Sequence, residues 1–146
     1  MTDQAALYDE AKWDLQALSA PLFEFGEQQV RSYGAFLPFG ARLSHDGKVG
    51  LHAAAGESEL AASDEILQLL HEGLRSASSD ASVAVAVCEW VKITPPGGKQ
   101  TDAIKVLAEH ANGLTVAFYL PITKRLLGGW QTGEMIVVPA APEVHS

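Results

Sequence analysis

Asp102, Glu109 and His110 form the most suggestive group of chemically active residues in this sequence. A carboxylate beside an imidazole can tune that imidazole for proton transfer near neutral pH, as a general base requires. All three residues fall in one predicted strand, where neighbours such as Glu109 and His110 point to opposite faces. Asp102 shares a face with His110 but stands roughly eight rises of ~3.3 Å away. The pattern favours ordinary polar residues near strand ends, so we predict no catalytic residue.

The histidines give no metal-binding pattern, such as two ligands one helical turn apart. His71 and Glu72 begin like a zinc-protease motif, but Arg75 stands where the second histidine should be. We therefore predict no metal and no cofactor, and the sequence leaves enzymatic activity uncertain, with the balance against it.

Cys88 is the single cysteine, so the chain has no internal disulfide, which fits a reducing, cytoplasmic location. Its strand neighbours, Val87 and Glu89, include no basic group that would lower the thiol pKa, so we predict buried packing rather than nucleophilic chemistry. Glu89 interrupts an apolar face between Val87 and Val91. A carboxylate there must be paired, exposed or shifted in pKa.

Other residues qualify as binding positions rather than as reactive groups. Tryptophans can line a ligand pocket or an interface, and several polar side chains share one side of the predicted sheet. The candidate binding residues are Trp13, Arg42, His52, Glu89, Trp90, His110 and Tyr119.

Size and charge restrict the class of protein. With 146 residues and 47% hydrophobic composition, the chain has enough apolar mass for one core. Its net charge of −8 comes without a basic cluster, which argues against nucleic acid as a partner. The apolar runs are too short to span a bilayer. We predict one α+β domain over 1–138 and a flexible tail over 139–146.

Two segments have helical periodicity. Apolar residues from Leu7 to Phe25 step by three or four, which predicts a helix that ends by Gly34. Pro21 lacks an amide donor, so we expect a kink there or two helices meeting at 19–21. A similar stripe over 58–78 predicts a second main helix.

Two hairpins carry the predicted sheet, and the period of two along a strand decides their register. A three-residue loop at 45–47 places Phe39, Leu43 and Val49 on one face. A three-residue loop at 111–113 similarly gathers the apolar residues between Ile104 and Leu120. Each loop ends in Asx-Gly, where glycine can take the left-handed conformation of a bulged turn.

Between the hairpins, the strand predicted over 81–93 is apolar on both sides, which implies cover on both faces. A short helix over 121–127 and a sixth strand over 134–138 complete the prediction. The expected fold is an antiparallel sheet of five or six strands with two main helices, in the order α-β-β-α-β-β-β.

This order of elements, over roughly positions 3 to 121, resembles the profilin-like arrangement and is similar to that of roadblock domains. Those are small cytoplasmic scaffolds that dimerise through strand edges. The resemblance lies in the order of elements, with no shared motif, and implies a fold rather than a function.

Three functions are consistent with these features. The first is a non-catalytic protein-interaction module that forms a homodimer, using the strand over 81–93 or a helix face. The second is a small-molecule binding or hydrolytic domain with a pocket between sheet and first helix, edged by Trp13, Glu89, Trp90 and His110. The third is an acidic partner of a basic toxin or effector.

Overall fold

The computed structural model describes residues 4–53, 82–125 and 127–140, which form one α-helix and seven β-strands. Their bounds are α1 (Gln4–Tyr33), β1 (Phe39–Ser44), β2 (Val49–Ala53), β3 (Ser82–Ile93), β4 (Thr101–His110), β5 (Thr115–Lys124), β6 (Trp130–Thr132) and β7 (Ile136–Pro139). The strands pair antiparallel in the order β2-β1-β3-β4-β5-β6, and β7 also pairs with β5.

The α+β class is confirmed, but the predicted counts of helices and strands are wrong. The described residues contain one main helix rather than two, and the sheet has seven strands rather than five or six. The helix predicted over 58–78 lies outside the described residues. The short helix predicted from Pro121 is also wrong, because β5 continues through Pro121 to Lys124.

α1 is a single helix of 30 residues that continues through Pro21, so the predicted alternative of two helices meeting at 19–21 is wrong. The proline removes one backbone bond, but Leu18 and Leu22 on either side are fully buried. Packing of such an apolar stripe supplies most of the stability of a protein helix, and here it offsets the missing bond. Gly34 ends the helix as predicted, with φ of 81° and its N–H donating to the Val30 carbonyl at 2.8 Å.

Both predicted hairpin registers are confirmed. In the first, the Ser44 N–H donates to the Lys48 carbonyl at 2.9 Å. In the second, the His110 N–H donates to the Leu114 carbonyl at 2.8 Å. Gly47 and Gly113 hold the left-handed positions of these loops, with φ of 84° and 97°. The apolar faces assigned by alternation therefore meet one another in the folded chain.

The sheet is buried on both faces. α1 packs on β1, β3 and β4, and the core beneath it includes Leu15, Leu43, Cys88, Val106 and Phe118. On the opposite face, Val85, Val87, Ala103, Leu107 and Ala117 are also buried. The two-sided cover predicted for the strand over 81–93 is therefore confirmed within a single chain for Ala84 to Cys88.

Gly26 permits the close approach of α1 to the sheet. A Cβ atom built at this position would lie 3.4 Å from Ile104 Cγ2 and 3.4 Å from the Phe36 ring. The absence of a side chain at Gly26 thus brings the helix backbone onto β4 and onto the segment before β1.

β6 and β7 lie along the same edge of β5. Ile122 pairs with Thr132, whereas Tyr119 pairs with Ile136, so the edge contains one extra residue between the two strands. The predicted sixth strand over 134–138 corresponds to β7. The Ala140 N–H donates to the Thr115 carbonyl at 3.1 Å, and alternation then turns the backbone of Val137 and Pro139 away from β5.

Candidate functional site

His110 is held by a carboxylate that sequence reasoning did not select. Its Nε2 lies 2.8 Å from Asp14 Oδ2, which joins the end of β4 to α1. The Asn112 N–H donates to His110 Nδ1 at 3.0 Å. Because a backbone amide can only donate, Nδ1 is the unprotonated nitrogen and Nε2 carries the hydrogen that it donates to Asp14. The pair thus fixes one tautomer of the neutral ring.

This arrangement leaves His110 without a nitrogen for proton transfer to a substrate. Asp102 lies at the opposite end of β4, where it faces Lys92 in the β3–β4 register. Glu109 lies on the other face of the sheet, with 4% of its surface exposed. The structure therefore separates the three residues that suggested acid–base chemistry, and His110 fastens the helix to the second hairpin.

Glu89 and Lys105 form a cross-strand ion pair on the sheet face opposite α1. The two residues are directly opposed in the β3–β4 register, and Lys105 Nζ lies 3.6 Å from Glu89 Oε2. The side chains are 17% and 19% exposed, so water screens the pair only in part. The sequence indicated that Glu89 must be paired, exposed or shifted in pKa, and the structure pairs it with Lys105. Tyr119 follows on β5, opposite Lys105.

Cys88 is buried as a free thiol beneath α1. Burial, and secondarily the neighbouring charge of Glu89, raises its pKa well above the ordinary value of 9.0. Its Sγ lies 3.9 Å from the Leu22 carbonyl oxygen, which accepts a weak hydrogen bond. A protonated, enclosed thiol does not act as a nucleophile.

The tryptophans do not converge on one pocket. Trp90 packs between Phe36 and Trp130, with ring centroids 6.1 Å and 6.4 Å away. Trp13 lies on the outer surface of α1, 71% exposed, with Lys12 Nζ 5.5 Å from its ring centroid. One of the three is therefore on the surface and two belong to an aromatic row along the helix side of the sheet.

The seven candidate binding residues are distributed over separate surfaces. Arg42, Glu89 and Tyr119 share the sheet face opposite the helix, where Glu89 and Tyr119 flank Lys105. Trp90 and His110 occupy the helix side, six positions apart in the β3–β4 register. Trp13 faces solvent, and His52 pairs with Gly40 in the first hairpin. The predicted pocket edged by Trp13, Glu89, Trp90 and His110 is not formed, because these side chains lie on separate surfaces.

An open groove of about 560 Å³ runs between the second half of α1 and the edge made by β5 and the segment before β7. Its lining residues are Ala20, Phe23, Glu24, Glu27, Gln28, Arg31, Leu120 and Met135. The lining surface is mainly apolar, with a charged rim on the helix side. The lining residues on α1 recur every three or four positions, and this spacing was the sequence signal that could have identified the helix side of the groove. The position of Met135 opposite them depends on tertiary structure.

Metal and membrane features are absent from the described ranges. No three His, Cys, Asp or Glu residues of 4–53, 82–125 and 127–140 gather as metal ligands. In the same ranges, no helix has the length and apolar character needed to cross a bilayer. No protein family, curated protein or solved structure matches this chain.

Proposed function

We propose that this protein is a non-catalytic interaction module that acts as a homodimer in the cytoplasm. The observation that carries the proposal is the open apolar groove beside α1, together with the exposed Met135 in its lining and the exposed Leu127 in the turn between β5 and β6. Exposed apolar surface with a charged rim is typical of protein–protein contact sites. The cytoplasmic location is supported by the single cysteine, a free thiol.

The chemistry of the polar residues supports a non-catalytic role. Both ring nitrogens of His110 are engaged, Glu89 is paired with Lys105, and Cys88 is enclosed and protonated. These groups hold elements of the fold together. None of them lines the groove, which therefore offers surface for binding rather than groups for bond making.

Burial of β3 argues against its use in such a dimer. β3 occupies the middle of the sheet between β1 and β4, and its residues from Ala84 to Cys88 are buried on both faces inside one chain. The apolar strand that suggested a dimer from sequence is therefore already covered. The groove and the exposed Leu127 in the turn between β5 and β6 are the surfaces that we propose for contact with a second copy.

Sedimentation velocity tests the proposal directly. At micromolar concentration we expect a species of twice the 15.5 kDa mass of one chain, dissociating on dilution. A single species of 15.5 kDa throughout this range would contradict the homodimer.

A further inference from the structure

The β5–β6 hairpin ends in a tip that is both apolar and basic. Leu127 is 94% exposed, and Lys124 and Arg125 beside it are exposed as well. The Arg125 N–H donates to the Gly129 carbonyl at 3.0 Å, so the tip is a closed turn. Two cationic side chains and an exposed leucine therefore lie close together on a chain whose net charge is −8.

The groove has the complementary chemistry. Phe23, Leu120 and Met135 give it an apolar lining, while its helix rim carries Glu24, Glu27 and Arg31. Arg31 lies 3.6 Å from Glu27 and offsets that charge. Among the described residues Glu24 has no ion-pair partner, so the rim keeps a net negative charge.

The tip cannot enter the groove of its own molecule. Leu120 in the groove and Leu127 at the tip belong to one hairpin, seven positions apart. Pairing of β5 with β6 through Ile122, Thr123 and Lys124 keeps the intervening chain extended and directs the tip away from the groove. At ~3.3 Å per residue the two sites are roughly 20 Å apart, so the groove of the same molecule does not cover Leu127.

We propose that the tip of one copy docks in the groove of a second copy, with Leu127 against Phe23 and Met135 and Arg125 beside Glu24. Two-fold symmetry makes the exchange reciprocal, so each dimer contains two such contacts. This inference rests on the proposed homodimer and names its interface.

The apolar contact is tested by sedimentation of Leu127→Ser against Leu51→Ser. Leu51 is also an exposed leucine, 57% accessible, but it lies in β2, at the opposite edge of the sheet from β5 and β6. We expect Leu127→Ser to raise the dimer dissociation constant by roughly 100-fold, because each dimer loses two leucine anchors. Leu51→Ser should leave the constant unchanged. Equal dissociation constants for the two variants would overturn the inference.

The charge contact is tested by reversal. Arg125→Glu and Glu24→Arg should each weaken the dimer by about tenfold, because each places like charges together at both contacts. The combined variant restores opposite charges and should recover most of the affinity. Failure of the combined variant to dimerise better than either single variant would contradict the pairing of these residues.

A disulfide trap gives a readout of the contact itself. Because Leu127→Cys removes the leucine anchor, the trap is run at a protein concentration well above the weakened dissociation constant. There a chain carrying Ala20→Cys and Leu127→Cys should form a covalent dimer on mild oxidation, whereas either variant alone should stay monomeric under denaturing electrophoresis. Cys88 is buried and does not compete. If the wild type dimerises but the two-cysteine variant forms no cross-link and Leu127→Ser does not weaken the dimer, this interface is refuted and the homodimer stands. A monomeric wild type refutes both.

Discussion

The ion pair between Glu89 and Lys105 allows a quantitative test of how burial alters electrostatics in this sheet. At 3.6 Å and an effective dielectric constant of about 20, the Coulomb attraction is about 5 kcal/mol before desolvation is subtracted. Each side chain keeps about one-fifth of its surface in water, so the loss is smaller than the ~3–5 kcal/mol of fully buried pairs. We expect Glu89→Gln to lower the free energy of unfolding by about 2–3 kcal/mol.

The assay is a double-mutant cycle measured by urea denaturation, with Glu89→Gln, Lys105→Met and the combined variant. The combined variant should be more stable than the sum of the single losses predicts, with a coupling energy of about 1.5–2 kcal/mol. The chain contains a matched control in Arg31 and Glu27. Their atoms are also 3.6 Å apart, but the side chains are 48% and 31% exposed, and their coupling should be about 0.3–0.5 kcal/mol.

Equal coupling energies for the two pairs would refute the reasoning, since the distances match and the coupling is assigned to the lower exposure of Glu89 and Lys105 to water. Added salt separates the cases further. Near 1 M NaCl the surface coupling should vanish, while most of the coupling between Glu89 and Lys105 should remain.

Three further predictions concern contacts of α1. Above the ordinary thiol pKa of 9.0, unfolded Cys88 loses its proton while the folded thiol keeps it, so stability should fall with rising pH by up to about 1.4 kcal/mol per unit. Denaturation of wild type and Cys88→Ala between about pH 8 and pH 10 checks this, and parallel curves would contradict it. Gly26→Ala should leave the free energy of unfolding unchanged or raise it by up to about 1 kcal/mol. Gly26→Leu should lower the free energy of unfolding by about 1–3 kcal/mol, because the longer side chain crowds Ile104. Thermal denaturation ranks the two variants, and a more stable Gly26→Leu would contradict the observed clearance. Nitrogen-15 NMR should find neutral His110 with its hydrogen on Nε2, and an Nδ1–H ring would exclude the observed contact with Asn112.

The hairpins could be predicted from sequence because their information is local. Alternation of apolar residues on either side of Asp46-Gly47 and Asn112-Gly113 allows one register that gathers the core, and the structure has that register. Pro21 shows the opposite case. Its local effect is to weaken a helix, but burial of Leu18 and Leu22 against the sheet decides the outcome, and that packing is invisible in the sequence near the proline.

The groups at the candidate sites were less predictable, because their partners are distant in sequence. Asp14 and His110 are separated by 96 positions, and only the docking of α1 on β4 brings them together. Glu89 was recognisable as an outlier on an apolar face, yet its partner Lys105 depends on the β3–β4 register. Met135 enters the groove through the extra residue between β6 and β7, which alternation alone does not reveal.

Pro139 has a consequence for behaviour at high concentration. Its backbone faces away from β5, so the outer side of β7 presents an amide hydrogen at Val137 but none at Pro139. Molecules that stacked head to tail into a continuous fibril would need that side to accept a complete strand from the next copy. A strand added along this side of β7 would therefore lack one backbone hydrogen bond, at Pro139, which disfavours such growth.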